Sequence, residues 1–101
     1  MPARSERRAY LVCYDVGDDK RRAAIHKTMR AFGEWMQYSV FLCVLSASRF
    51  VRMRTDLEAT IRRGEDHVLI VPLGAPESGR INEILSLGRP LELPVEGPQI
   101  F

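Results

Sequence analysis

Residues 35–45 read WMQYSVFLCVL, eleven positions with no charge and a high content of aromatic and β-branched side chains. Such a run is strand-forming but too long for one simple strand, and a bend at Tyr38 and Ser39 divides it in two. Each half continues into a helix-like segment. On the N-terminal side Gly33 closes a helix whose Ile25, Met29 and Phe32 fall at i, i+4 and i+7. Asp18 serves as its N-cap, and Asp19 sits favourably at its positive end. On the C-terminal side Ser48 caps a second helix, with Phe50, Met53, Leu57 and Ile61 facing inward and Gly64 ending it. The outermost segments are again strands: residues 9–16 (AYLVCYDV), stopped by Gly17, and residues 67–73 (HVLIVPL), a buried strand whose end Pro72 marks. The order is β-α-β-β-α-β, an α+β fold of the ferredoxin-like plait type. Leu91, Leu93 and Val95 alternate with Glu92, Pro94 and Glu96, which adds an expected C-terminal edge strand.

The 101 residues suit a single domain, 1–101, with its core at about 8–74. An apolar fraction of 46% against 28% charged residues excludes a disordered chain. No apolar run approaches the ~18 residues that span a bilayer, and the Arg-rich N-terminus is no secretory signal. Cys13 and Cys43 lie 30 positions apart inside strand-like runs and read as buried, reduced thiols. A cytoplasmic protein with no membrane contact is expected. The net charge is only +2, yet 13 of the 15 basic residues are Arg, whose planar fork suits phosphate. A GC-rich genome would produce the same bias.

Two helices cover one face of a four-stranded sheet, so the strands should alternate apolar with polar if the other face meets water. They do not. Tyr10, Val12, Tyr14 and Val16 share one parity, while Leu11 and Cys13 are apolar on the other. Val68, Ile70 and Pro72 likewise stand against Leu69, Val71 and Leu73. Both faces need cover, and a two-fold copy of the chain supplies it most simply: a homodimer is expected.

Asp15 ends the first strand, just before a Gly turn and a helix N-terminus, where ligand sites of α/β units gather. It shares parity with Leu11 and Cys13, so its carboxylate needs a partner. One candidate is Mg²⁺, which favours carboxylate oxygen; the other is a cap or a salt bridge to Arg21 or Arg22. Across a dimer axis the residue occurs twice, and two carboxylates facing one another hold one metal ion. Lys20, Arg21, Arg22, Lys27 and Arg30 follow with no acid between Lys20 and Arg30. They form either a phosphate-tracking face or a merely solvated one. Arg49, Arg52 and Arg54 open the second helix, partly offset by Asp56 and Glu58. His26 reads as solvated and His67 as the opening of a strand.

Three stretches resemble the CRISPR-associated protein two family. They are Tyr14-Asp15-Val16 with Asp19, Arg21 and Arg22 opening a helix, then Gln37-Tyr38-Ser39-Val40-Phe41 after Gly33, then residues 65–73 (EDHVLIVPL). Together they span about residues 9–73 in the family's order. The resemblance implies a homodimeric ferredoxin-like protein acting in CRISPR adaptation. It implies a divalent-metal-dependent endonuclease on RNA or double-stranded DNA, with Mg²⁺ or Mn²⁺ held by a catalytic Asp15. It further implies a dimer that holds spacer DNA and bridges copies of the integrase subunit. By motif, Tyr14, Ser39 and Phe41 line the cleft, Arg21 and Arg22 lie among the basic positions, and the tail 75–101 packs on the partner subunit. Leu42-Cys43-Val44 is more apolar than the family's usual continuation, and the Pro-rich tail after Gly74 has no clear match. Two other readings stand beside this one: a non-catalytic DNA-binding scaffold of the integration complex, and a toxin ribonuclease of the virulence-associated protein D type.

Overall fold

A computed structural model of the chain describes residues 6–90. Strand β1 runs over Arg7–Asp15, helix α1 over Asp19–Phe32, β2 over Gly33–Gln37, β3 over Val40–Ser46, α2 over Ala47–Thr60 and β4 over His67–Gly74. Two single-turn 3₁₀ segments follow, Pro76–Ser78 and Ile81–Glu83. The sheet order is β2-β3-β1-β4 with every neighbouring pair antiparallel, the ferredoxin-like βαββαβ plait. The additional strand expected at Leu91, Leu93 and Val95 lies outside the described residues.

The bend at Tyr38 and Ser39 falls as expected, and Tyr38 takes a left-handed φ of 41° to make it. Asp18 caps α1, its carboxylate accepting from the Arg21 N–H at 2.9 Å. Gly33 does end α1, though not by left-handed geometry. Its backbone is extended and already begins β2. A side chain there would meet Cys43 Sγ at 2.5 Å and the Leu42 carbonyl oxygen at 2.6 Å. Close approach of two strands is what demands glycine.

The second helix departs from expectation at both ends. Its cap is Ser46, whose hydroxyl accepts from the Arg49 N–H, and Ser48 only bonds the Ser46 hydroxyl. Strand β3 runs into α2 with no loop, so the last strand residue doubles as the cap. The helix also stops at Thr60, before Gly64, which sits in the following turn with φ 90°. Strand β4 is the other correction. It is an edge strand and not a buried one: Leu69 is 52% exposed, and Pro72 lies within it, paired with Tyr10. An edge position tolerates a residue that lacks an N–H.

The core lies between the helices and one face of the sheet, formed by Val12, Tyr14, Ile25, Met29, Phe41, Cys43, Met53 and Leu57 among others. Each large side chain among them contributes roughly 1.5–3 kcal/mol by burial. On the opposite face Ala9 and Leu42 are covered by Ile81. The tail expected to pack on a partner therefore begins by folding back on its own sheet. The rest of that face, with Leu11 and Cys13 half-buried and Leu69 and Val71 exposed, has no cover among the described residues. The two-faced apolar pattern is real.

Candidate functional site

Successive residues of a strand point to opposite faces, and at the end of β1 this separates two neighbours. Tyr14 turns inward to the helix layer, 7% exposed. Asp15 turns outward, exposed, at the margin of the uncovered apolar face. Its register partner on β4 is His67, also exposed. Directly opposed residues of an antiparallel pair carry their side chains on one face with Cβ atoms about 5 Å apart, so Asp15 and His67 share that face without a hydrogen bond or ion pair between them. By sequence His67 is only the start of a strand; the pairing is visible once β4 is laid against β1.

Asp15 is not held by Arg21 or Arg22. Arg21 is a clamp: Nε donates to Asp66 at 2.7 Å, Nη2 to Asp66 at 3.0 Å and to Glu65 at 3.3 Å. The Asp66 side chain is wholly inaccessible and also accepts from the Arg62 N–H at 2.8 Å. The Arg21 hydrogen bonds, then that of the Arg62 backbone, hold the Asp66 carboxyl below the usual range. Arg22 donates to the carbonyls of Val16 and Gly17 and pairs with Asp19, bracing the turn from β1 to α1. The five basic residues expected to face phosphate thus divide. Two are engaged within the fold, while Lys20, Lys27 and Arg30 are exposed along α1. That helix lies on the face away from Asp15, and Arg30 is about 15 Å along it from Lys20 at 1.5 Å per residue. On α2, Arg49 donates to the Ala31 carbonyl and lies over Phe32, while Arg52 and Arg54 pair with Asp56 and Glu58.

Of the three residues expected to line a cleft, Tyr14 and Ser39 border a cavity of about 440 Å³ within the single chain, at the N-terminal end of α1, shared with Asp19, Arg22, His26 and Tyr38. Phe41 is fully buried behind them, its ring 5.2 Å from His26. His26 is not simply solvated. Its Nδ1 meets the Tyr14 hydroxyl at 3.0 Å, and its ring packs edge-on against Trp35 and Phe41. Burial pushes the Tyr14 phenol up, opposed in part by Ser39 and by the Arg22 charge. The helix spacing of His26 gave no hint of this, because its neighbours come from β1, β2 and β3.

No group of three or more His, Cys, Asp or Glu side chains that could hold a metal occurs among the described residues. One chain offers Asp15, with His67 opposite. This fits a hydrated Mg²⁺ or Mn²⁺ held through one or two carboxylates, and not a closed protein cage. No helix of the described residues is long and apolar enough to cross a membrane.

Comparison with known proteins places these features in a family. The profile of the family described as CRISPR associated protein Cas2 matches residues 8–81. A CRISPR-associated endoribonuclease Cas2 of Rhodospirillum rubrum is 43% identical over 84 residues, covering 83% of this chain and 81% of its own. Another, of Geobacter sulfurreducens, is 38% identical over 80 residues, 79% of this chain and 83% of its own. Among solved structures, a Cas2 crystal structure superposes with a TM-score of 0.70 at 26% identity, over 90% of this chain and 97% of that one. Streptococcus pyogenes Cas2 gives 0.69 at 27% identity, over 79% and 99%. With the plait and the profile in agreement over the core, the chain belongs to the CRISPR associated protein Cas2 family.

Proposed function

We propose that this protein acts in CRISPR adaptation as a homodimer that binds DNA or RNA, bridges integrase subunits and cleaves phosphodiester bonds with a divalent metal ion. The observation that carries the catalytic part is Asp15: an exposed carboxylate, unbonded by the neighbouring arginines, at the margin of an apolar sheet face. A second copy laid on that face covers Leu69 and Val71 and brings a second Asp15 to the same rim. The two carboxylates would hold Mg²⁺ or Mn²⁺, which when bound would supply an activated water and offset phosphate charge. His67, opposite Asp15 in the register, would serve as a proton acceptor at its ring nitrogen. Lys20, Lys27 and Arg30 contribute backbone contacts without sequence readout. Endonuclease activity is supported by the names of the relatives, and the adaptation and integrase roles by family membership.

The experiment compares wild type with Asp15→Asn on RNA and on duplex DNA, with Mg²⁺ or Mn²⁺ and with EDTA. Wild type should cleave one substrate only with metal, and Asp15→Asn should lose about a hundredfold or more, the scale of removing one group that stabilises transition-state charge. Unchanged cleavage in Asp15→Asn would sink the assignment. The scaffold reading is the second candidate, favoured by the absence of a three-ligand cluster among the described residues. It predicts no cleavage by either protein and undiminished DNA binding. The toxin reading gives way to the family match.

A further inference from the structure

The cavity beside Tyr14 lies on the helix side of the sheet, behind the strand end that carries Asp15, and nothing above gives it a role. We infer that it binds one unpaired nucleobase. The inference shares with the proposed function only the nucleic-acid partner, and it needs neither the metal nor the dimer.

Four observations carry it. First, about 440 Å³ falls in the range of small-ligand sites, roughly 300–1,000 Å³. Second, its walls are aromatic: the buried Tyr14 ring, the His26 ring, and Tyr38, which is 87% exposed and has a free face. Third, the Tyr38 backbone takes a costly conformation. Its φ of 41° is the left-handed region that a bulky side chain rarely adopts, and the Trp35 Nε1–H donates to its carbonyl at 2.7 Å. Strain of this kind collects at ligand sites. Fourth, the rim offers donors and acceptors together: the Arg22 guanidinium and Ser39 hydroxyl against the Asp19 carboxylate.

That mixture selects the ligand. A bare phosphate would use the Arg22 charge, but Asp19 already answers it and would repel the anion. An aliphatic ligand would make no use of the polar rim. A planar heterocycle with N–H donors and N or O acceptors on its edge, stacked on Tyr38, uses both. The exposed Lys20, Lys27 and Arg30 of the same helix then meet the adjoining phosphates. The cavity therefore suits a base turned out of a strand or belonging to a single strand.

Trp35 is the only tryptophan, and its ring lies 5.9 Å from that of His26, so its fluorescence reports on the cavity. The test titrates the full chain, in EDTA, with AMP, GMP or ribose 5-phosphate. Equilibrium dialysis of labelled AMP and GMP runs alongside, so that a silent Trp35 hides nothing. Both nucleotides should bind saturably and ribose 5-phosphate should not. Tyr38→Gly, which removes the ring at a φ that glycine accepts, should weaken binding about 5- to 150-fold, the measure of one lost stacking contact. Asp15→Asn should bind as wild type does, whatever its cleavage activity. No binding in dialysis, equal binding of ribose 5-phosphate, full affinity in Tyr38→Gly, or loss of affinity in Asp15→Asn would each overturn the inference.

Discussion

Single residues here are decided by which face of the sheet they occupy. Tyr14 and Asp15 are neighbours in sequence, yet one is fixed in an aromatic cavity and the other stands in solvent. Arg21 and Arg22 read as phosphate ligands by type and position, but their guanidinium groups brace β4 and the β1–α1 turn. Cys43 gives this scale its pH dependence. Burial, with a smaller contribution from the Glu34 charge, raises its thiol from the ordinary 9.0 to about 12. A raised folded-state value means the contribution is complete below pH 9 and is lost as pH climbs from about 9 towards 12, because the unfolded thiol ionises first. At ~1.4 kcal/mol per pH unit the full window is worth about 4 kcal/mol. Urea midpoints between pH 8 and pH 11 should fall more steeply for wild type than for Cys43→Ala. Equal slopes would show that the thiol does not ionise on unfolding. Tyr14 is shifted in the same direction and acts in both proteins alike.

Among the elements, α1 carries two jobs on two sides. Ile25 and Met29 fill the core, and Lys20, Lys27 and Arg30 remain in water. If those exposed cations meet a nucleic-acid backbone, Lys27→Ala with Arg30→Ala should weaken binding to all sequences alike. It should also flatten the slope of log affinity against log salt by about 1 per residue removed. An unchanged slope would mark this face as merely solvated. On α2 the arginines have intramolecular partners, so the same substitutions at Arg52 and Arg54 should leave the slope where it was. The apolar spacing of both helices was legible, with Met53 and Leu57 buried as their periodicity implied. The ends of α2 were less so. Two serines stand near the start of α2, and only the path of β3 decides that Ser46 is the cap.

At the scale of the molecule, the main feature is the sheet face left without cover among the described residues. Leu69 and Val71 on an edge strand, beside Leu11 and Cys13, make the apolar surface that the proposed homodimer would cover. Light scattering should give twice the chain mass for wild type and the chain mass for Leu69→Asp with Val71→Asp. In step with this, Cys13 should react with a thiol reagent faster in the variant than in wild type. A wild-type monomer would leave the face without its proposed cover. The βαββαβ order, the bend at Tyr38 and Ser39, the caps of α1 and the apolar character of both sheet faces are legible in the order of residues alone. Those depend on local spacing and on side chains a few positions apart. Packing settles that β4 is an edge, that Asp15 lies opposite His67, that Arg21 belongs to Asp66 and that His26 borders a cavity with Tyr14. Each of these joins residues from separate elements. Residue type and spacing say what a side chain can bond to, whereas the packing of strand against strand and helix against sheet chooses the partner.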